Sequence, residues 1–219
     1  MPKDLQDLED KASLVYKHAK TIQLDLMDGE YVEAKTWPYF LKNVEEVDGI
    51  MNGKVLPFAE NVEYELDLMV MSPERDLKKF VAMRPKRIIF HARSIEDHKS
   101  FIETMNSFVN LREEIEVGVA IGPQESLDFA DELIRNTDFV QIMGIKNIGN
   151  QGESFDPKVF AQVLSLKEKY PNVILSIDGG VDVENAKLLR ELGVERLVSG
   201  STIFKSENKE EIINTLRNG

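Results

Sequence analysis

Residues 172–204 read NVILSIDGGVDVENAKLLRELGVERLVSGSTIF. NVILSID is a short run rich in branched apolar residues that stops at Gly179–Gly180, as a buried strand does. VENAKLLRELG carries a helical pattern, and Gly193 closes it, because a residue past the last helical turn favours the left-handed backbone that glycine adopts freely. RLVSG, from Arg196, is a second strand. A strand, a helix and another strand in this order form a βαβ unit whose strands lie parallel.

The same alternation extends outward to both ends. TIQLDLM (from Thr21), VEYELDLMV (from Val62), RIIFHA (from Arg87), IEVGVAI (from Ile115) and DFVQIM (from Asp138) read as strands. Helical patterns lie between them: SPERDLKKFVAM, IEDHKSFIETMNSFV (95–109), SLDFADELIRN and DPKVFAQVLSLKEKY. Ser72, Ser94 and Asp156 precede three of these helices as cap-like residues, two of them followed by a proline suited to a first helical turn. Seven strands follow, with a helical segment before the first. No Gly-, Pro- or Ser-rich linker interrupts the series, so residues 1–219 are expected to form one domain. The expected fold is an α/β, TIM-barrel-like (βα) barrel with seven parallel strands instead of eight. An open doubly wound sheet of this size usually shows a Gly-rich turn after its first strand, and none is present.

Composition narrows the function. The 219 residues contain no cysteine, which excludes a disulfide framework, a thiolate metal site and a cysteine nucleophile. Lys and Arg number 27 against 39 Asp and Glu, a net charge of −12. Such a surface disfavours nucleic acid and anionic membrane as partners. The charged amino terminus lacks the apolar core of a signal peptide, and a cytoplasmic location is expected.

Alternation along the strands sorts the polar residues. Gln23, Asp25 and Met27 share one face of TIQLDLM, with Ile22, Leu24 and Leu26 on the other. Glu63, Glu65, Asp67 and Met69 share a face in the next strand, and Ser176 with Asp178 in the sixth. One face of a barrel strand meets the helices and must be apolar, so these polar sets look inward near the carboxyl ends. A single strand-end aspartate commonly caps a turn; three aimed at one mouth point to a task, because converging like charges raise one another's pKa. His91 ends another strand, where a hydrogen-bonded structural role and a substrate contact are both open. A second constellation is glycine-based: MGIKNIGNQGESF after the fifth strand, IDGGV after the sixth and VSGSTIF in the last. Closely spaced glycines let main-chain amides approach an anion, and loops after the last barrel strands frequently hold phosphate.

The stretches IQLDLMDGEYV, YELDLMVMSPER, IIFHAR, VGVAIGP, FVQIMGIKNIGNQGESF, ILSIDGGVDVENAKLL and LVSGSTIF, taken together and in order, resemble the ribulose-phosphate 3-epimerase family. The resemblance covers nearly everything from Thr21 to Lys205. It implies a TIM barrel interconverting ribulose 5-phosphate and xylulose 5-phosphate, an isomerase of carbohydrate metabolism. By position, Asp25 matches the aspartate that removes the proton beside the carbonyl, and Asp178 the one that returns a proton to the opposite face. Met27, Met69 and Met143 match methionines lining the intermediate; for each, plain core filling is the competing reading. His91 falls among the substrate-contacting positions. Gly152, Gly179, Gly180, Gly200 and Ser201 match the main-chain phosphate grip. The expected partner is a small phosphorylated sugar, in a homo-oligomer.

The chain departs from the family at defined places. Gln23 and Asp67 stand where histidines usually join the two aspartates around a divalent metal. The implied set of Gln23, Asp25, Asp67 and Asp178 offers only oxygen and favours Mg²⁺ or Mn²⁺ over Zn²⁺. Glu153 replaces a glutamine in the phosphate loop, Arg93 replaces a carboxylate, and the family's first strand has no counterpart. Two other readings stay open: a phosphosugar-binding barrel without catalysis, and another phosphate-binding-barrel enzyme such as a decarboxylase or synthase. The latter usually places a lysine beside its catalytic acid on a strand, and LDLMDG has none.

Overall fold

The computed structural model describes residues 1–107 and 114–218. Among them are seven strands: β1 (Thr21–Met27), β2 (Glu63–Met69), β3 (Arg87–His91), β4 (Glu116–Ile121), β5 (Phe139–Met143), β6 (Ile174–Asp178) and β7 (Arg196–Val198). The described helices are α1 (Leu5–Ser13), α2 (Val44–Met51), α3 (Leu77–Ala82), α4 (His98–Ser107), α5 (Leu127–Arg135), α6 (Lys158–Lys169), α7 (Val183–Glu191), α8 (Ser201–Lys205) and α9 (Lys209–Asn218). The class is α/β and TIM-barrel-like, with the seven parallel strands expected. None of the described helices is long and apolar enough to cross a membrane. Two compact units divide the chain, Met1–Val117 and Gly118–Gly219.

In the first unit β1 pairs with β2 and β2 with β3, all parallel. The register sets Gln23 opposite Glu65, Asp25 opposite Asp67 and Met27 opposite Met69, so the polar face read from alternation is continuous across two strands. Nearer the strands' amino ends that face is closed by Arg87, opposite Glu65 in the β2–β3 register. Its Nε donates to Glu65 Oε2 at 2.6 Å and its Nη2 to Thr21 Oγ1 at 2.8 Å. A planar guanidinium satisfies several buried acceptors at once, which a lysine would not. The opposite face carries Leu24, Leu26, Leu66, Leu68, Ile88 and Phe90, all almost fully buried.

In the second unit β4, β5, β6 and β7 pair in chain order. One face is wholly apolar: Val119, Ile121, Val140, Ile142, Leu175 and Ile177. The other carries Gln141 opposite Ser176 and Met143 opposite Asp178. Ser176 Oγ donates to Gln141 Oε1 at 3.2 Å, which satisfies two buried polar groups mutually. The helices follow their apolar stripes: Ala130, Leu133 and Ile134 in α5, Val159, Val163 and Leu166 in α6, and Ala186 with Leu189 in α7 are buried.

Helix starts differ from expectation in two places. Ser72 has a left-handed backbone (φ 50°) before a 3₁₀ turn, Pro73–Asp76, and its side chain caps nothing. Ser94 ends a 3₁₀ turn and donates to the His91 carbonyl. Asp97 takes the capping role for α4, accepting from the Ser100 amide at 3.0 Å. A carboxylate can accept without a hydroxyl's pull toward a preceding carbonyl, and that difference decides the outcome. Asp156 accepts from Lys158 N as expected. The end of the helix anticipated over 95–109, Phe108 and Val109, lies outside the described residues.

Gly118 faces Phe139 across the β4–β5 register. A Cβ built on it would sit 2.4 Å from the Phe139 ring, closer than packed atoms tolerate. Gly118→Ala should therefore destabilise the protein by about 1–3 kcal/mol through overpacking. Adding Phe139→Leu should recover part of the loss, as measured by urea denaturation midpoints.

Candidate active site

The carboxyl half of β1 and β2 brings two acids side by side. Asp67 is fully buried, and its Oδ1 lies 2.8 Å from His91 Nε2 on β3. His91 is itself 2% exposed, and the Tyr31 ring lies against it, tilted, at 5.3 Å between centroids. Asp25 is partly buried and accepts from Gln23 Nε2 at 3.1 Å. Removal from water, and then the neighbouring Asp67 charge, push the Asp25 carboxyl up to about 6. The Gln23 hydrogen bond, the Met1 ammonium and His91 oppose the rise without cancelling it. A carboxylate shifted toward neutrality can both take and give a proton near physiological pH.

The loop that leaves β1 is tied down by residues that alternation does not reveal. Asp28 Oδ1 accepts from the amides of Glu30 and Tyr31, and its Oδ2 accepts from Met71 N at 2.8 Å just beyond β2. Thr36 Oγ1 donates to the Asp25 carbonyl at 2.7 Å and accepts from Met27 N at 2.9 Å. Asp28 and Thr36 therefore hold the main chain on either side of Asp25 and Met27. The only sequence cue was the turn-like Asp28–Gly29 pair, with Gly29 at φ 81°.

In the second unit Asp178 ends β6 and is partly buried, with Met143 opposite it. Its carbonyl accepts from Gly144 N at 2.6 Å, and the Gly144 carbonyl accepts from Asp156 N at 2.7 Å. The loops after β5 and β6 thus run in main-chain contact. A Cβ on Gly144 would lie 2.0 Å from the Gly179 carbonyl, and one on Gly180 (φ 67°) 2.7 Å from Phe155 N. Gly180 is a glycine because two backbones meet there, as is Gly144, absent from the sequence-derived set; a Cβ on Gly179 (φ 105°) would instead press on the Ile145 side chain at 2.9 Å. Gly152 and Gly200 are exposed, Ser201 is partly so, and nothing lies within 4 Å of a Cβ built on Gly200. Glu153 is engaged within the loop: its Oε1 accepts from Asn147 Nδ2 at 2.9 Å and its Oε2 from Asn147 N at 3.2 Å.

Gln23, Asp25, Met27, Asp67, Met69 and His91 therefore share one face of the first unit, and Met143 and Asp178 one face of the second. All three methionines are nearly fully buried, at 1–2% exposure, which is the packing that either core filling or a water-excluding wall demands.

Known proteins resemble this chain over most of its length. The model of the "Ribulose-phosphate 3 epimerase family" matches residues 1–204. A ribulose-phosphate 3-epimerase of Schizosaccharomyces pombe is 25% identical over 217 residues, covering 98% of this chain and 89% of the relative. One from Helicobacter pylori is 30% identical over 206 residues, covering 92% and 87%. Among solved structures, a 3-keto-L-gulonate-6-phosphate decarboxylase from Vibrio cholerae superposes with a TM-score of 0.69 at 15% identity, covering 99% of this chain and 92% of that one. A 3-hexulose-6-phosphate synthase gives 0.66 at 18%, covering 99% and 94%. At those identities the structures speak for the fold alone. The sequence match extends over nearly the whole chain and includes the strand ends that carry Asp25, Asp67 and Asp178, and the chain belongs to the ribulose-phosphate 3-epimerase family.

Proposed function

We propose that the protein interconverts ribulose 5-phosphate and xylulose 5-phosphate, with Asp25 and Asp178 as the proton-transfer pair. The observation that carries this reading is the Asp25 carboxyl, raised to about 6 beside a buried Asp67, in a member of an epimerase family. The matched span runs through both compact units, which supports treating them as one functional domain.

In this reading Asp25, as carboxylate, removes the proton from the carbon beside the substrate carbonyl. The electron pair moves onto the carbonyl oxygen and an enediolate forms. Asp178, as carboxylic acid, returns a proton to the opposite face, and the configuration at that carbon inverts. Asp25 ends protonated and Asp178 ionised, so proton exchange with solvent or the reverse reaction resets the pair. Met27, Met69 and Met143 exclude water, which protects the enediolate from stray protonation. Main-chain groups at Gly152, Gly179, Gly180, Gly200 and Ser201 hold the phosphate end.

The donor set fits a divalent cation. Asp25, Asp67 and Asp178 offer three carboxylates, and the Asp67 charge, which adds to the burial that pushes the Asp25 carboxyl up, is one that a cation would offset. Gln23 adds an amide oxygen in place of a histidine, so Mg²⁺ or Mn²⁺ suits the set better than Zn²⁺. When bound, such an ion supplies a Lewis acid for the enediolate oxygens. Within the chain itself, His91 fixes the orientation of Asp67, and Gln23 that of Asp25.

Asp178→Asn should lower the rate of xylulose 5-phosphate formation by about 10²–10⁴-fold, followed by NMR with Mg²⁺, Mn²⁺ or Zn²⁺ added in turn. A rate within threefold of wild type would remove Asp178 from its role. A second expectation concerns stability. The folded Asp25 carboxyl lies above its unfolded value of 3.8, so the native state binds the proton more tightly. Its stabilising share is present at low pH and is lost as pH rises through about 6. In metal-free protein, Asp25→Asn should therefore be more stable than wild type at pH 8 by roughly 1–3 kcal/mol. The gap should close near pH 4; an equal gap at both values, read from urea midpoints, contradicts the assignment.

A further inference from the structure

We infer that Lys205 is a phosphate-contacting residue, supplying an ammonium group to the phosphate end of the substrate from the side of the Gly152 loop. The inference rests on the phosphosugar reading and adds to it a charged side chain outside the main-chain grip.

Lys205 ends the single turn of α8, four residues after Ser201. Side chains on a helix lean back over the preceding turn, and positions four apart share a face. Lys205 therefore shares a face of this short helix with Ser201. Its Nζ comes 3.9 Å from where a Cβ would stand on Gly152. Gly152 has φ 81° and is exposed, and among the described residues Lys205 Nζ is the one atom beyond its chain neighbours within 4 Å of that Cβ position. The ammonium group therefore lies beside the Gly152 loop, while Lys205 itself stands one helical turn after Ser201, a part of the constellation far from Gly152 in the chain.

Charge argues in the same direction. A sugar phosphate brings close to two negative charges to a chain of net charge −12. Main-chain amides alone would offset them with partial charges. The acid next to Gly152 is already taken, since both Glu153 oxygens are engaged by Asn147, which leaves the Lys205 ammonium unopposed. Lys205 is exposed, and among the described residues no carboxylate pairs with it. The neighbouring Lys209 is differently employed, donating to the Phe204 and Ser206 carbonyls.

The test compares wild type, Lys205→Ala, Lys205→Arg and, as a control for general charge, Lys187→Ala on the exposed face of α7. Affinities for ribulose 5-phosphate, unphosphorylated ribulose and inorganic phosphate are measured by calorimetry, and KM for ribulose 5-phosphate by turnover. Lys205→Ala should weaken ribulose 5-phosphate and inorganic phosphate by about tenfold each, as expected for loss of one charge-assisted contact. Ribulose binding should not change, Lys205→Arg should recover most of the loss, and Lys187→Ala should have no effect. If wild type binds ribulose 5-phosphate and Lys205→Ala binds it within twofold, the Lys205 assignment is overturned and the functional reading stands. An equal loss for ribulose, or an equal loss in Lys187→Ala, also overturns it. If wild type neither binds nor turns over ribulose 5-phosphate, the functional reading fails first and takes this inference with it.

Discussion

Two carboxylates in adjacent parallel strands, held in register with no residue between them, are the constraint around which the first unit is organised. Asp25 and Asp67 are paired positions, and in a parallel sheet such neighbours are too close to ignore each other's charge. The protein meets this by giving each acid its own donor, Gln23 to Asp25 and His91 to Asp67. Burial, and after it the Asp67 charge, still raise the Asp25 carboxyl. A purely structural site would have had reason to replace one acid with an amide.

The departures from the family pattern become intelligible in these terms. With Asp67 at a position usually held by histidine, β2 contributes another negative charge where a neutral ligand would stand. His91 is spent on orienting that carboxylate. The Gln23 amide donates to Asp25, a contact that an imidazole could also make, but Gln23 brings no titratable proton of its own. In the proposed reading the outcome is an all-oxygen set with more negative charge than a mixed nitrogen and oxygen set, one suited to a harder cation.

Main-chain proximity is the corresponding constraint in the second unit. Gly144 and Gly180 allow the loops after β5 and β6 to touch backbone to backbone, and a hydrogen bond from Gly144 to the Asp178 carbonyl fixes the strand end that presents the acid. The glycine signal in IDGG thus has a packing cause as well as the ligand-binding one attached to it. Gly152 and Gly200, which meet little or nothing, are the members of the set whose freedom packing does not explain.

Alternation and punctuation alone determined the seven strands, most of the helices, and which residues of β1, β2 and β6 share a face, because strand periodicity is a local property of the backbone. They determined Asp25, Asp67 and Asp178 as strand-end acids for the same reason. The tertiary structure decided what depends on distant partners. It assigned His91 to Asp67, placed Arg87 against Glu65 and Thr21, turned Glu153 onto Asn147, and revealed Asp28 and Thr36 as the ties on the β1 exit. It also moved the cap of α4 from Ser94 to Asp97, since a side chain's hydrogen bond goes to whichever acceptor or donor the fold brings nearest. Hydrogen-bond partners separated by tens of residues leave no periodic trace in a chain, and only folding makes them neighbours.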